Sequence, residues 1–266
     1  STEYNLDLTF EAPLAEEDYA AQNRMIENVV RDGADAIVFS AVDFEANAEA
    51  VDEAAAEGVK IVSIDSEVNS RSVECYIGTD NYEAGCLAGE AVLDCQDPVL
   101  NIGIVNYDKN SENGQTREAG FRDTVAKDSR AVIVDAINVN STTEEAKEGT
   151  LAMLERNPQI NVIATFNEWT SLGVGYAIQE QNLGDRTRVV AFDCNVVSVG
   201  MLETGEVDAL IVQNPYAMGY LGVEKAYNLL NGQSIEEKEI GTSLMIVTKE
   251  NMYDDESQRL LFSFDK

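Results

Sequence analysis

Short runs of β-branched and aliphatic residues alternate along this chain with longer, alanine-rich stretches whose apolar positions recur at helical spacing. That alternation predicts βαβ units built around parallel sheets. Strands are expected at Tyr4–Phe10, Asp35–Ser40, Lys60–Asp65, Ser72–Gly78, Leu100–Asn106, Ala131–Ile137, Ile160–Phe166, Arg188–Asp193 and Val207–Gln213, with a helix in nearly every gap. The segment from Asp18 to Arg31 places Met25, Ile26, Val29 and Val30 on one face and stops at Gly33, a residue suited to a left-handed cap. Ser141 with Glu144 reads as a capping box ahead of the helix that carries Ala146, Leu151, Met153 and Leu154. Gly58, Gly184 and Gly205 are expected to close other helices.

The two halves of the chain echo each other. In the first, one strand ends at Ser40 and the next at Asp65, 25 residues on; in the second, one ends at Asn167 and the next at Asp193, 26 residues on. Both pairs fall at the carboxyl ends of parallel strands, where open α/β sheets bind ligands. Two α/β domains of Rossmann-like, flavodoxin-like build, hinged around a ligand cleft, would bring the pairs together. No Pro/Gly/Ser-rich linker separates the halves, so short hinge segments are expected. The expected division puts residues 1–79 and 214–242 in one domain and residues 80–213 and 243–266 in the other.

Composition then narrows the functional classes. With 44% hydrophobic residues among 266, the chain can bury a substantial core. Its net charge of −31 argues against a nucleic-acid backbone or an anionic membrane as partner. The same charge suits a solvated surface that keeps the protein soluble and monomeric. There is no histidine, which removes Ser-His-Asp and Cys-His nucleophiles and histidine-ligated metal sites. The cysteines, Cys75, Cys86, Cys95 and Cys194, form no CxxC pair. Gly173 and Gly175 lack the third glycine of a dinucleotide fingerprint. The run from Asp108 to Glu112 departs from a calcium loop, with Asn113 where glycine is needed and Ala119 where glutamate is needed. Neither a cofactor nor a metal is therefore expected.

The stretches ADAIVFSAVD (Ala34–Asp43), VKIVSIDSEV (Val59–Val68), YIGTDNYEAG (Tyr76–Gly85), TREAGF (Thr116–Phe121), IATFNEWTSLG (Ile163–Gly173), VVAFD (Val189–Asp193) and ALIVQNP (Ala209–Pro215) resemble the type I periplasmic binding proteins that capture sugars for ABC transporters. They recur in family order over nearly the whole chain. The resemblance implies that Ser40 is a polar ligand contact and that Asp65 accepts hydrogen bonds from sugar hydroxyls. It implies further that Arg117, in the motif with Gly120 and Phe121, donates to ring or hydroxyl oxygens, and that Asn167, Asp193 and Gln213 supply contacts from the second domain and its hinge. Carboxylates, amides and a guanidinium around one pocket suit a polyol, whose hydroxyls both donate and accept.

Three positions depart from the ribose-binding pattern. Ser66 stands where ribose binders carry an arginine, and Ser141 stands near a position that is often aromatic. Trp169 follows Asn167 where a small or acidic residue is common, and its face offers a replacement wall for a sugar ring. The family also begins with a strand and helix preceding the one matched by Tyr4–Phe10, and that first strand lies inside the N-terminal sheet. The expectation is that this segment lies outside the sequence given, with further ligand-stacking residues on it.

Bland roles compete at each position. Asp65 and Asp193 also suit turn caps, Arg117 a helix-surface charge, Trp169 a packing role and Gln213 a hinge. By resemblance, the expected protein is a non-enzymatic, extracytoplasmic receptor that takes a monosaccharide or similar polyol and presents its closed form to an ABC permease. Sensing for a histidine kinase or chemoreceptor, and the effector role of a LacI-type regulator, share the same core and remain alternatives. No set of nucleophile, base and orienter stands out at the strand ends, so catalysis is not expected.

Overall fold

A computed structural model of the chain describes residues 5–262. The chain forms two compact units, Ser1–Thr79 with Pro215–Thr242 and Asp80–Asn214 with Ser243–Lys266, so it passes from one to the other three times. In chain order the first unit holds α1 (Tyr19–Arg31), β1 (Ala36–Phe39), α2 (Ala48–Ala56), β2 (Lys60–Ile64) and β3 (Val73–Gly78). The second holds α3 (Asn81–Leu93), β4 (Leu100–Asn106), α4 (Glu112–Val125), β5 (Ala131–Asn138), α5 (Thr143–Arg156), β6 (Val162–Thr165), α6 (Glu168–Gln181), β7 (Arg188–Phe192), α7 (Val196–Thr204) and β8 (Ala209–Val212). The chain then returns to the first unit for α8 (Pro215–Leu230) and β9 (Glu239–Gly241), and ends in the second with β10 (Met245–Thr248) and α9 (Asp255–Leu261).

The sheet of the first unit has the order β1-β2-β3-β9, parallel throughout. Both faces are covered, which explains the near-continuous apolar runs. Ile37, Phe39 and Ile61 join the cluster formed with Ile26 of α1 and Val51 of α2, whereas Ala36, Val38, Val62 and Ile64 pack with Leu221, Ala226 and Leu229 of α8. The strand expected at Tyr4–Phe10 is not formed. Tyr4 lies outside the described residues, and Asn5–Phe10 carries no strand, with Leu8 and Phe10 exposed. Alternation of Leu6, Leu8 and Phe10 gives one apolar face, but only a neighbouring strand turns such a segment into a ladder.

In the second unit the order is β10-β8-β7-β6-β4-β5, and every pair is parallel except β10 with β8. From β5 to β8 this is the doubly wound arrangement whose strand order reverses between β4 and β6, and ligands bind beyond the carboxyl ends of strands at such a reversal. Two local expectations shift. Thr142, not Ser141, caps α5 by accepting from the Glu145 amide, and the Glu145 carboxylate turns back to Asn140, so no capping box closes there. The left-handed cap of α6 is Asn182, at φ 53°, and not Gly184. Gly33, Gly58 and Gly205 do adopt positive φ after their helices.

Helices α3 and α4 lie nearly in backbone contact. A Cβ on Gly85 would fall 1.9 Å from the main-chain oxygen of Arg117, and one on Gly120 would fall 2.1 Å from that of Tyr82. Glycine is required at both positions because only main chain faces main chain, and the contact fixes where the backbone of Arg117 sits. Gly85→Ala is expected to cost roughly 1–3 kcal/mol of stability through forced helix separation. Urea unfolding measures it, and an unchanged midpoint would contradict this packing.

Candidate functional site

In the first unit, the polar strand-end residues converge on Asp65. Its backbone sits at φ 59°, a left-handed conformation that aspartate tolerates better than most residues and that concentrates at functional sites. Its amide donates to Ile77 O at 3.0 Å, in line with the β2–β3 ladder. Ser40 Oγ donates to Asp65 Oδ2 at 3.1 Å and Ser66 Oγ to the same oxygen at 3.3 Å. Gln22 of α1 grips the chain just after β1, donating to Ser40 O at 2.8 Å and accepting from the Val42 amide at 2.9 Å. Ser40, Asp65 and Ser66 therefore form one cluster, half-buried.

In the second unit the hub is Arg117. It lies in the second turn of α4 and is 3% exposed, so it is not a helix-surface charge. Nε donates to Asn81 Oδ1 at 2.9 Å, one terminal nitrogen to Phe166 O at 2.8 Å and the other to Gln213 Oε1 at 2.9 Å. Its guanidinium carbon also stands 4.9 Å from the ring centroid of Phe192. A buried cation is costly unless its N–H groups find partners, and here each of the three nitrogens donates to a neutral oxygen. Gln213 relays the charge onward, donating Nε2 to Asp193 Oδ1 at 2.5 Å. With one end accepting from an arginine and the other donating to a carboxylate, the orientation of this amide is fixed.

Asp193 repeats the backbone of Asp65, with φ 65° and an amide that donates to Ile211 O at 2.9 Å. Next to it, the Cys194 thiol is pushed up to about 11, first by burial and then by the carboxylates of Asp193 and Glu168. It is neutral at physiological pH and therefore a poor nucleophile.

Asn167 acts first as a cap. Its Oδ1 accepts from the Thr170 amide at 3.0 Å and hydroxyl at 2.7 Å, while Nδ2 donates to Ser141 Oγ at 2.7 Å. Trp169, on the first turn of α6, is 38% exposed. Sequence reasoning missed several participants. Asn81 joins Arg117 to Asn113, through Nδ2 to Oδ1 at 3.1 Å, and Asn195 caps α7 while donating to Glu168 at 2.6 Å. An asparagine just after a strand and three residues before Thr170 or Ser198 was the available signal for the two caps. Among the described residues, no cluster of acidic or thiol side chains could hold a metal ion.

The family model for the periplasmic binding protein domain matches residues 1–234. This chain belongs to the periplasmic binding protein family. Among its relatives, the D-ribose/D-allose-binding protein of Pseudomonas aeruginosa is 27% identical over 85% of this chain and 72% of that protein. Two solved structures are similar throughout. An ABC transporter solute-binding protein from Agrobacterium vitis with bound D-fucose has a TM-score of 0.90 at 30% identity, covering 96% of this chain and 89% of that one. A carbohydrate transporter solute-binding protein from Agrobacterium radiobacter, in complex with D-arabinose, has a TM-score of 0.88 at 29% identity, covering 93% and 85%.

For this periplasmic binding protein, Arg117 can be tested apart from any ligand. Arg117→Met strands three buried oxygens, and the expected loss is about 2–4 kcal/mol of unfolding free energy. Arg117→Lys is expected to recover only part of it, because an ammonium cannot reproduce the planar fork. Denaturant unfolding decides, and a loss below about 1 kcal/mol in Arg117→Met would remove the hub role.

Proposed function

We propose that the chain is the extracytoplasmic solute receptor of an ABC transporter, and that its ligand is a monosaccharide or similar polyol. Ser40, Asp65 and Ser66 of the first unit and Arg117, Asp193 and Gln213 of the second supply the polar contacts, with Trp169 as an apolar wall and Asn167 as a further amide. The observation that carries this reading is the matched placement of Asp65 and Asp193. Each follows a parallel strand at its carboxyl end, and each sits at positive φ, 59° and 65°. Such strain persists only where the surrounding structure maintains it, and it aims a carboxylate that accepts from paired hydroxyls.

The bound D-fucose and D-arabinose of the similar structures and the ribose/allose binder among the relatives support the same class of ligand. The groups gathered at the strand ends are hydrogen-bonding groups. The one thiol beside them is held neutral, which favours binding over turnover.

Thermal unfolding against pentoses, hexoses and inositols tests the reading, using protein refolded from denaturant to strip carried-over ligand. One sugar at about 100 times its Kd should add roughly 2.7 kcal/mol and raise the midpoint selectively. Asp65→Asn and Asp193→Asn keep a residue that tolerates the left-handed backbone, so each should weaken binding by about 1–3 kcal/mol without unfolding the protein. Full affinity in both variants, or no response to any compound, would count against the proposal.

A further inference from the structure

Asp65 and Asp193 both sit at positive φ but are held in different ways. Asp193 is held by its carboxylate, through Gln213. Asp65 is also held through its main chain: the hydroxyl of Tyr76, on β3, donates to Asp65 O at 2.8 Å. The turn around that carbonyl is tight. The Ser66 amide donates back to Ile64 O at 2.6 Å, and Ser63 Oγ donates to Ser66 O at 2.9 Å. The peptide that leaves Asp65 is thus fixed on both sides.

The tyrosine reaches this position because β3 makes room for it. A Cβ on Gly78, two residues further along the same face of the strand, would lie 2.0 Å from the Tyr76 hydroxyl and 2.3 Å from its ring carbon Cζ. Gly78 is therefore the space into which the ring folds. The hydroxyls of Ser40 and Ser66, which donate to the Asp65 carboxylate, are short, rotatable and easily shared with a ligand.

We infer that Tyr76 is a positioning residue for the ligand-binding carboxylate, holding Asp65 in its left-handed conformation through the main-chain oxygen while Gly78 accommodates the ring. The inference rests on the receptor reading for its effect on affinity but not for its effect on geometry. Tyr76→Phe keeps the ring and removes only the hydroxyl, and Gly78→Ala expels the ring.

Two measurements test it. In the ligand-free crystal structure of Tyr76→Phe, Asp65 should leave positive φ or its carboxylate should swing away from Ser40 Oγ; an unmoved Asp65 would overturn the inference. In calorimetric titration with the sugar selected by thermal unfolding, Tyr76→Phe should bind about three- to tenfold more weakly, and Gly78→Ala more weakly still. Ser70→Ala is the control for simple destabilisation, because it removes a hydrogen bond to Asp52 in the same unit. It should leave affinity unchanged, and a Tyr76→Phe affinity equal to wild type would overturn the inference. A wild-type protein that binds no sugar would refute the receptor reading alone, leaving the crystal structure to decide the role of Tyr76.

Discussion

A guanidinium buried to 3% exposure, whose three nitrogens donate to neutral oxygens, sets terms that much of the second unit must meet. Desolvating that charge is tolerable only if the acceptors are held in place. The helix contact through Gly85 and Gly120 fixes the Arg117 backbone, and Phe121, Phe166 and Phe192 line the adjacent core, the first pair edge-to-face and the second tilted, with centroids 5.7 Å apart in each pair. Two of its acceptors also lie at the roots of chain crossings. Asn81 follows the passage at Thr79/Asp80 and Gln213 precedes that at Asn214/Pro215, while Asn214 donates to Ser243 beside the third. One side chain therefore joins the sugar-facing set proposed here to the segments where the chain changes unit.

The paired aspartates show how similar strand ends are built by unlike means. In the second unit a charge relay through an amide orients the carboxylate. In the first unit a tyrosine hydroxyl orients the main chain, and two serine hydroxyls attend the carboxylate. The serine at position 66, where ribose-binding members carry arginine, fits the second solution: a hydroxyl both donates and accepts, so it adapts to a ligand without a buried charge. Tyr76 matters to the account because it acts on Asp65 from the neighbouring strand through the main-chain oxygen.

Much of this was legible in the sequence because parallel strands buried on both faces write continuous apolar runs, and the polar residue ending each run stands at the carboxyl end of its strand. Ser40, Asp65, Asn167 and Asp193 were found in that way, and the motif glycines Gly85 and Gly120 lay inside the stretches that carried the resemblance. What stayed hidden depends on contacts that no local pattern records. Tyr76 reads as an ordinary strand residue until Gly78 is seen to make room for its ring. Asn81 reads as the start of a helix until Arg117, 36 residues on, reaches it. Asn167 was read as a ligand contact, yet much of its hydrogen-bonding capacity goes to Thr170 and Ser141. The apolar alternation at Leu6, Leu8 and Phe10 suggested a strand, whereas the pairing that makes one is absent among the described residues.

The most direct test is a crystal structure of the protein with its bound sugar. The account predicts ligand hydroxyls within about 3 Å of the carboxylates of both Asp65 and Asp193, with both residues still at positive φ. A sugar that touches neither carboxylate, or a relaxed backbone at both aspartates, would contradict it.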